Sequence, residues 1–263
     1  MANRIILNQT SYHGAGAIKE LPTEVKSRGL KKALICCGPT LLRHGVIAHV
    51  TDVLDAAELS YEIYSDIKPN PTIENVTDGV AAFKAAGADY LIAIGGGSPM
   101  DTSKAIGIII NNPEFADVKS LEGPADTHRR AVPTFALPTT AGTGSEMSNA
   151  LVVTDERTSQ KLAVLADPAT SEYAVLNADL MLTLPPKMTI ACGLDAFCHA
   201  AEGYLSNLAS PITDAICEKV MFLLYNYLPR AVANGQDREA RERVMVASTL
   251  AGWMLNNAGT IVG

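Results

Sequence analysis

Residues 88–110 read ADYLIAIGGGSPMDTSKAIGIII, and this stretch decides the fold. Residues 88–94 form a short, nearly continuous apolar run, which is typical of a buried parallel strand. Gly95, Gly96 and Gly97 separate this run from a helical pattern. A strand that passes through glycines into a helix is the first part of a βαβ unit, so the stretch predicts a parallel sheet covered by helices.

The flanking sequence repeats this alternation up to about residue 184. Strand patterns lie at KALICC (32–37), YEIYSDI (61–67) and VPTFALPTT (132–140), and helical patterns lie at 41–59 and 71–87. ALVVTDE (150–156) and KLAVLAD (161–167) predict a hairpin. After Pro186 no strand pattern recurs, and three helices are predicted at about 187–206, 211–232 and 237–257. We therefore expect an α/β domain over 1–184 and an all-helical domain over 185–263.

Composition excludes several classes of protein. The net charge of -7 argues against a nucleic-acid or membrane-surface partner, because both favour a basic face. No signal peptide and no apolar run of membrane-spanning length is visible. The five cysteines are odd in number and form no CxxC motif, so we expect a reduced, cytoplasmic protein. RIILNQTSYHG (4–14) could pair as an edge strand with a second copy, and we expect a homodimer.

The glycine loop before residue 98 is a candidate anion site. Glycine lets the backbone approach a ligand closely, and the free N–H groups at the start of the helix favour a phosphate. The motif is neither GxGxxG nor a Walker A loop. The alternative is a tight strand-to-helix turn without a ligand.

A second loop, LPTTAGTGSE (137–146), follows the next predicted strand and is rich in hydroxyl groups. Ligands of open α/β sheets bind at the carboxyl ends of strands. Two such loops at neighbouring strand ends therefore indicate one cleft for a long polar ligand, such as a dinucleotide. Alternatively, the threonines, glycines and serine only form an ordinary loop.

GLDAFCHAAEGY (193–204) places Asp195 and His199 four positions apart, on one face of a predicted helix. A carboxylate and an imidazole so placed are candidate metal ligands. The alternative is a surface pair that contributes only a few tenths of a kcal/mol. Cys192 and Cys198 flank the pair, and we expect them to be buried structural thiols.

The three stretches GGGSPMDTSKAIG, LPTTAGTGSE and GLDAFCHAAEGY, in this order, resemble the iron-containing alcohol dehydrogenase family. The resemblance runs over residues 1–263. It implies a dinucleotide-binding α/β domain followed by an all-helical metal domain, the architecture of dehydroquinate synthase. It also implies reversible hydride transfer between NAD(P) and a small primary alcohol or aldehyde, such as 1,2-propanediol or lactaldehyde. The implied metal is Fe²⁺, with Zn²⁺ as the alternative, and it would polarise the substrate oxygen.

The resemblance also implies roles for individual residues, with no dedicated catalytic base near the metal. Asp195 and His199 match the first two of four iron ligands. The position of Gly38 corresponds to that of a residue that contacts the adenosine ribose. The implied cofactor contacts are Gly38, Asn70, Gly96, Gly97, Ser98, Asp101, Thr139, Thr140, Thr143, Val153 and Lys161.

Two departures from the family pattern leave alternatives open. Many NAD-preferring relatives have an aspartate where this chain has Gly38, so NADP is not excluded beside NAD. The other two iron ligands of the family are histidines, the first of them after a segment like NAGTIVG (257–263), so we expect a truncated form of a longer enzyme. The alternatives are therefore a catalytically inactive NAD(P)-binding fragment and an aggregating remnant. A zinc-dependent enzyme like glycerol dehydrogenase or dehydroquinate synthase is the rival within the same fold.

Overall fold

The computed structural model describes residues 4–124 and 126–260. The strands are β1 (Thr10–His13), β2 (Lys32–Cys36), β3 (Ser60–Tyr64), β4 (Tyr90–Gly95), β5 (Thr134–Pro138), β6 (Ala150–Asp155), β7 (Gln160–Leu165) and β8 (Tyr173–Leu176). The helices are α1 (Leu21–Ser27), α2 (Pro39–Arg43), α3 (Ala48–Ala56), α4 (Ile73–Ala86), α5 (Gly97–Asn111), α6 (Pro186–Leu205), α7 (Pro211–Ala233) and α8 (Arg238–Ala258).

Six strands form one parallel sheet in the order β1-β8-β5-β4-β2-β3. The central strands β4 and β5 are buried along their whole length, as their apolar runs predict. The predicted parallel sheet is therefore confirmed. The hairpin is confirmed as well, because β6 and β7 pair antiparallel in a separate two-stranded sheet.

Helices cover both faces of the parallel sheet. Alternate side chains of each strand point to opposite faces and pack in two separate hydrophobic cores. On one face, Ile35 and Ile92 pack with Leu21 of α1 and Leu54 of α3. On the other face, Leu34 and Leu91 pack with residues of α4 and α5, including Val76 and Ile106. Two hydrophobic layers of this kind are the normal consequence of right-handed βαβ crossovers.

The helical pattern predicted over 41–59 is divided into α2 and α3. The break falls at Gly45, which has a φ of 69°. That left-handed conformation suits glycine and cannot continue a right-handed helix. By contrast, α4 follows its prediction closely: Thr72 and Asn75 form a capping box at its start, and Gly87 ends it with a φ of 62°.

The three predicted C-terminal helices are confirmed as α6, α7 and α8, which pack around one hydrophobic core. The buried Arg241 of α8 joins them, because its guanidinium donates to Thr189 Oγ1 (2.6 Å), Leu184 O and Gly235 O. In the part of the chain that the structure describes, no helix is both long and apolar enough to cross a membrane. The boundary near residue 184 stays a prediction.

The N-terminal residues pack within the same chain. β1 lies at the sheet edge and pairs with β8, Thr10 opposite Tyr173, so the partner of this strand is internal. Just before it, Ile6 N donates to Asn257 Oδ1 (2.6 Å) and Ile6 O accepts from Asn257 Nδ2. The first described residues are thus bonded to the last helix. Pairing with a second copy stays a prediction.

Candidate cofactor cleft and metal pair

The carboxyl ends of β2 and β4 define the expected binding region of the sheet. These strands are neighbours, yet the chain leaves β2 toward β3 on one side and leaves β4 toward β5 on the other. Open α/β sheets bind ligands at such a switch point, outside the carboxyl ends of the strands. Gly38 follows β2 and the glycine loop follows β4, so both predicted features lie at this point.

The glycine loop passes from strand to helix within a single residue. β4 ends at Gly95 and α5 begins at Gly97, with Gly96 as the N-cap and no side chain capping the helix. Gly95 has a φ of 150°, and a Cβ there would lie 2.6 Å from Pro99 Cγ. The N–H groups at the start of this 15-residue helix are thus left without a side-chain acceptor. This arrangement suits an anion such as a pyrophosphate.

The threonine loop packs directly against the glycine loop. Thr139 N donates to Gly95 O (2.8 Å), which joins the ends of β5 and β4. A Cβ on Gly96 would lie 3.0 Å from Thr140 Oγ1, and one on Gly97 would lie 3.1 Å from Thr143 Cγ2. The predicted meeting of the two loops is therefore observed. A side chain on either glycine would press on a threonine side chain of the other loop.

A cleft of about 370 Å³ opens beside these loops. Thr139 is one of its walls, and the others come from the segment after β2 and the segment before α6: Thr40, Leu41, His44, Val46, Leu180, Thr183, Leu184 and Pro185. A mixed lining of apolar and hydroxyl side chains suits the non-phosphate part of a nucleotide. Sequence reasoning did not identify these walls, because no motif distinguishes them from ordinary loop residues.

Val153 and Lys161 belong to the hairpin, and Asn70 lies beside it. Asn70 is exposed and has a φ of 55°. The carbonyl oxygen of the next residue, Pro71, accepts a hydrogen bond from Thr154 N (2.7 Å). Thr154 in turn stands opposite Lys161, whose side chain is exposed. The Val153 side chain is fully buried in the core beneath α4 and α5, so a contact of this residue with a ligand would have to use its backbone.

Asp101 is already engaged within the protein. Its Oδ1 accepts from Ser145 Oγ (2.6 Å) and its Oδ2 accepts from Val152 N (3.0 Å). Burial raises the pKa of this carboxyl, and the nearby Lys104 opposes the shift. Both carboxylate oxygens therefore hold the threonine loop and β6 onto α5. Asp101 thus has a structural role within the chain, and the direct cofactor contact that the resemblance implies stays a prediction.

The threonine loop is also fitted tightly onto the helices. A Cβ on Gly142 would lie 2.9 Å from Cα of Cys192 on α6, and a Cβ on Gly252 of α8 would lie 2.3 Å from Gly144 O. Glu146 accepts from Thr249 Oγ1 of α8 (3.1 Å). The loop that borders the cleft is thus seated on the helix that carries Asp195.

Asp195 and His199 face each other on α6, as their spacing predicts. The distance from His199 Nε2 to Asp195 Oδ1 is 3.7 Å. The Nδ1 atom of His199 is buried and has no hydrogen-bond partner. No group of three or more His, Cys, Asp and Glu side chains within residues 4–124 and 126–260 is arranged to hold a metal ion. The described residues therefore provide two candidate ligands, which is less than a complete metal site.

The neighbouring cysteines differ from each other. Cys192 is half-buried, and burial raises the pKa of its thiol. Cys198 is exposed, so the expectation that it is buried was wrong. It lies next to Phe197, which is 36% exposed.

The sequence of the chain also matches two models of known protein families. Residues 8–178 match the sequence model of iron-containing alcohol dehydrogenases, and residues 189–262 match the C-terminal model of the Fe-containing alcohol dehydrogenase family. The chain therefore belongs to the iron-containing alcohol dehydrogenase family.

Three relatives illustrate the relationship. The lactaldehyde reductase of Escherichia coli (strain K12) is 47% identical over 259 residues, which are 98% of this chain and 67% of that protein. An alcohol dehydrogenase from Oenococcus oeni has a TM-score of 0.94 and 34% identity, over 98% of this chain and 68% of its own. A sulfoacetaldehyde reductase from Bifidobacterium kashiwanohense, solved with NAD⁺, has a TM-score of 0.91 and 28% identity, over 99% of this chain and 68% of its own. The chain thus spans about two thirds of the length of these relatives.

Proposed function

We propose that this chain binds a nicotinamide dinucleotide at the switch point of its sheet, and that it is the cofactor-binding part of an alcohol dehydrogenase. In the reaction, a hydride would pass from the carbinol carbon of a small primary alcohol to NAD⁺, and the hydroxyl proton would pass to solvent. The products would be the aldehyde and NADH. The proposed substrates are 1,2-propanediol and lactaldehyde, because the Escherichia coli relative is a lactaldehyde reductase.

The observation that carries this proposal is the direct contact between the glycine loop and the threonine loop. A Cβ atom at Gly96 or Gly97 would already make a tight contact of 3.0 or 3.1 Å with the other loop. The uncapped start of α5 would bind the pyrophosphate, and the exposed Thr143 would border it. The cleft lined by Thr139 and Leu180 would take the adenosine.

The second requirement is that the cofactor lies close to the reacting alcohol. Gly142 of the threonine loop contacts Cys192, which lies three residues before Asp195 on α6. This contact supports a nicotinamide position beside the Asp195 and His199 pair. In a complete site, a ferrous ion would act there as a Lewis acid on the substrate oxygen. The described residues supply two ligands only, so we assign no step of the reaction to the metal in this chain.

Two measurements on the 263-residue chain test the proposal. We expect NADH to bind with a micromolar dissociation constant, measured by the fluorescence of the bound cofactor. We expect little or no oxidation of 1,2-propanediol, because the metal pair lacks further described ligands. Absence of NADH binding would contradict the proposed function. Binding with measurable turnover would exclude the alternative of a catalytically inactive NAD(P)-binding chain, and tight zinc with glycerol oxidation would favour the glycerol dehydrogenase alternative.

The choice between NAD and NADP depends on Gly38. Gly38 has a φ of -86°, and a Cβ there would meet only Ile67 O at 3.5 Å, so an aspartate side chain fits. We expect Gly38→Asp to raise the dissociation constant of NADPH about tenfold or more, because the carboxylate repels the 2′-phosphate. The dissociation constant of NADH should stay equal or fall, since the carboxylate can accept from the ribose hydroxyl.

Gly38→Asn is the matched control for this change. It has nearly the same shape as aspartate but no charge, so it should discriminate against NADPH much less. Equal effects of the two variants on NADPH would show that volume at this position, and not charge, controls the choice. Fluorescence titrations with NADH and NADPH at constant ionic strength provide the measurement.

A further inference from the structure

We propose that Lys104 is a positioning residue of the cofactor site, because its buried ammonium group fixes Ser145 and thereby holds Thr143 over the glycine loop. The inference rests on the proposed function, since it assumes that the two loops hold a nicotinamide cofactor. Lys104 itself lies behind the loops and acts through the serine.

The ammonium group of Lys104 uses all three of its N–H donors in hydrogen bonds within the protein. The side chain is 1% exposed and projects from α5 into the base of the threonine loop. Its Nζ donates to Ser145 Oγ (2.9 Å), Ser148 Oγ (3.2 Å) and Ala150 O (2.8 Å). An ammonium group has three N–H donors, so each of them has one acceptor. The lysine thus connects α5 to the end of the threonine loop and to the start of β6.

Ser145 connects Lys104 to Thr143, which lies on the side of the loop that faces the proposed cofactor site. Ser145 Oγ accepts from Lys104 and donates to Asp101 Oδ1 (2.6 Å), so the direction of its hydroxyl is fixed. Ser145 N donates to Thr143 Oγ1 (3.3 Å). Thr143 therefore receives a bond from the backbone and keeps its own hydroxyl proton free for a ligand. Its Cγ2 lies against Gly97.

A purely structural role would not require a charge here. A buried charge is costly, and a well-packed apolar side chain often serves a fold equally well. The charged groups that act on Lys104 among the described residues are Asp101, on the same helix, and Glu146, on the loop. Asp101 accepts from Ser145 of the threonine loop, and Glu146 accepts from Thr249 of α8. The cluster thus combines one cation with two acids at the base of the threonine loop.

The charge of this cluster gives the proposal a measurable signature. Burial lowers the pKa of Lys104 to about 8, and Asp101 and Glu146 oppose the shift. Above that pH the amine keeps two N–H donors for three acceptors, so Ser145 loses part of its restraint and cofactor affinity should fall. The fold itself should not weaken, because the unfolded chain has the higher lysine pKa. Loss of the proton from folded Lys104 therefore adds to stability as pH rises from about 8 toward 10.5.

The test is an NADH titration of the wild-type chain and Lys104→Met at several pH values between about 7 and 9.5. The wild-type dissociation constant should rise about tenfold across this range while the melting temperature does not fall. Lys104→Met should bind about tenfold more weakly at pH 7 and show a flat profile. Ser103→Ala changes a buried neighbour on the same helix and should follow the wild type.

A folded Lys104→Met variant with wild-type affinity and a wild-type pH profile would overturn the positioning role. If Lys104→Met does not fold, Ser145→Ala replaces it, because it removes the serine and leaves the lysine with two acceptors. It should also weaken binding and flatten the profile, and unchanged binding by Ser145→Ala would overturn the proposal. Absence of NADH binding by the wild type would overturn the proposed function together with this inference, whereas wild-type binding that the variants retain would overturn this inference alone.

Discussion

Gly252→Ala is expected to lower the free energy of unfolding by about 3 kcal/mol and to weaken NADH binding at least tenfold. The added Cβ would lie 2.3 Å from Gly144 O and 3.0 Å from the Cα of the same residue. These are backbone atoms and cannot rotate away. Gly144 lies between Thr143 and Ser145, so a shift of its backbone would move the part of the threonine loop that we propose borders the cofactor.

The expected decrease in the free energy of unfolding is informative, because the higher helix propensity of alanine would by itself increase it. Gly252 lies inside α8, where alanine would otherwise stabilise the helix by about 1 kcal/mol. The close contact should outweigh that gain and lower the melting temperature by about 6–12 °C, measured by circular dichroism. Gly38→Ala is the matched control for stability, because its added methyl group meets one atom at an ordinary 3.5 Å. A Gly252→Ala variant that melts within about 2 °C of the wild type would show that α8 and the loop separate easily.

The second large effect concerns metal content. Purified anaerobically with added Fe²⁺ and then desalted, the 263-residue chain should retain less than about one iron per ten molecules. The reason is that Asp195 and His199 are two ligands, 3.7 Å apart, without a third among the described residues. Zinc should behave in the same way, because stable zinc sites use three or four protein ligands.

The lactaldehyde reductase of Escherichia coli, purified in parallel, is the appropriate reference for this measurement. Elemental analysis gives the metal per chain, and His199→Ala should abolish any weak binding that appears at high metal concentration. Near-stoichiometric iron in the wild-type chain would contradict the prediction. It would mean that Asp195 and His199 obtain further ligands, for example from a second copy of the chain.

The elements with strong local patterns were predictable from sequence. β4, β5, α4 and the hairpin follow their apolar periodicity and their turn residues. β8 was not predicted, because Tyr173–Leu176 is only four residues long and too short to show a period. That omission explains the incomplete prediction for β1: without β8, the edge strand had no visible partner in its own chain.

The candidate site was predictable where glycine and hydroxyl residues mark loops in the sequence. It was not predictable where the role of a residue depends on contacts with residues far away in the chain. The meeting of the two loops followed from their places at neighbouring strand ends. The engagement of Asp101 by Ser145 and Val152 could not be read from the sequence, since those residues lie 44 and 51 positions away. Lys104 was overlooked for a related reason: a lysine in a helix is usually solvent-exposed, and only the fold shows that this one is buried.

The bonding of Ile6 to Asn257 has a consequence for biosynthesis. The ribosome delivers the N-terminal strand first, yet β1 has no partner until residues 173–176 emerge, and Ile6 has none until α8 is made. Most of the chain must therefore be translated before its beginning can be fixed in place. Long-range contacts of this kind slow folding and extend the time during which an unpaired strand can meet other nascent chains. Release of the first 184 residues alone would leave Ile6 without the amide of Asn257, and Asn8 without the indole of Trp253 that donates to it.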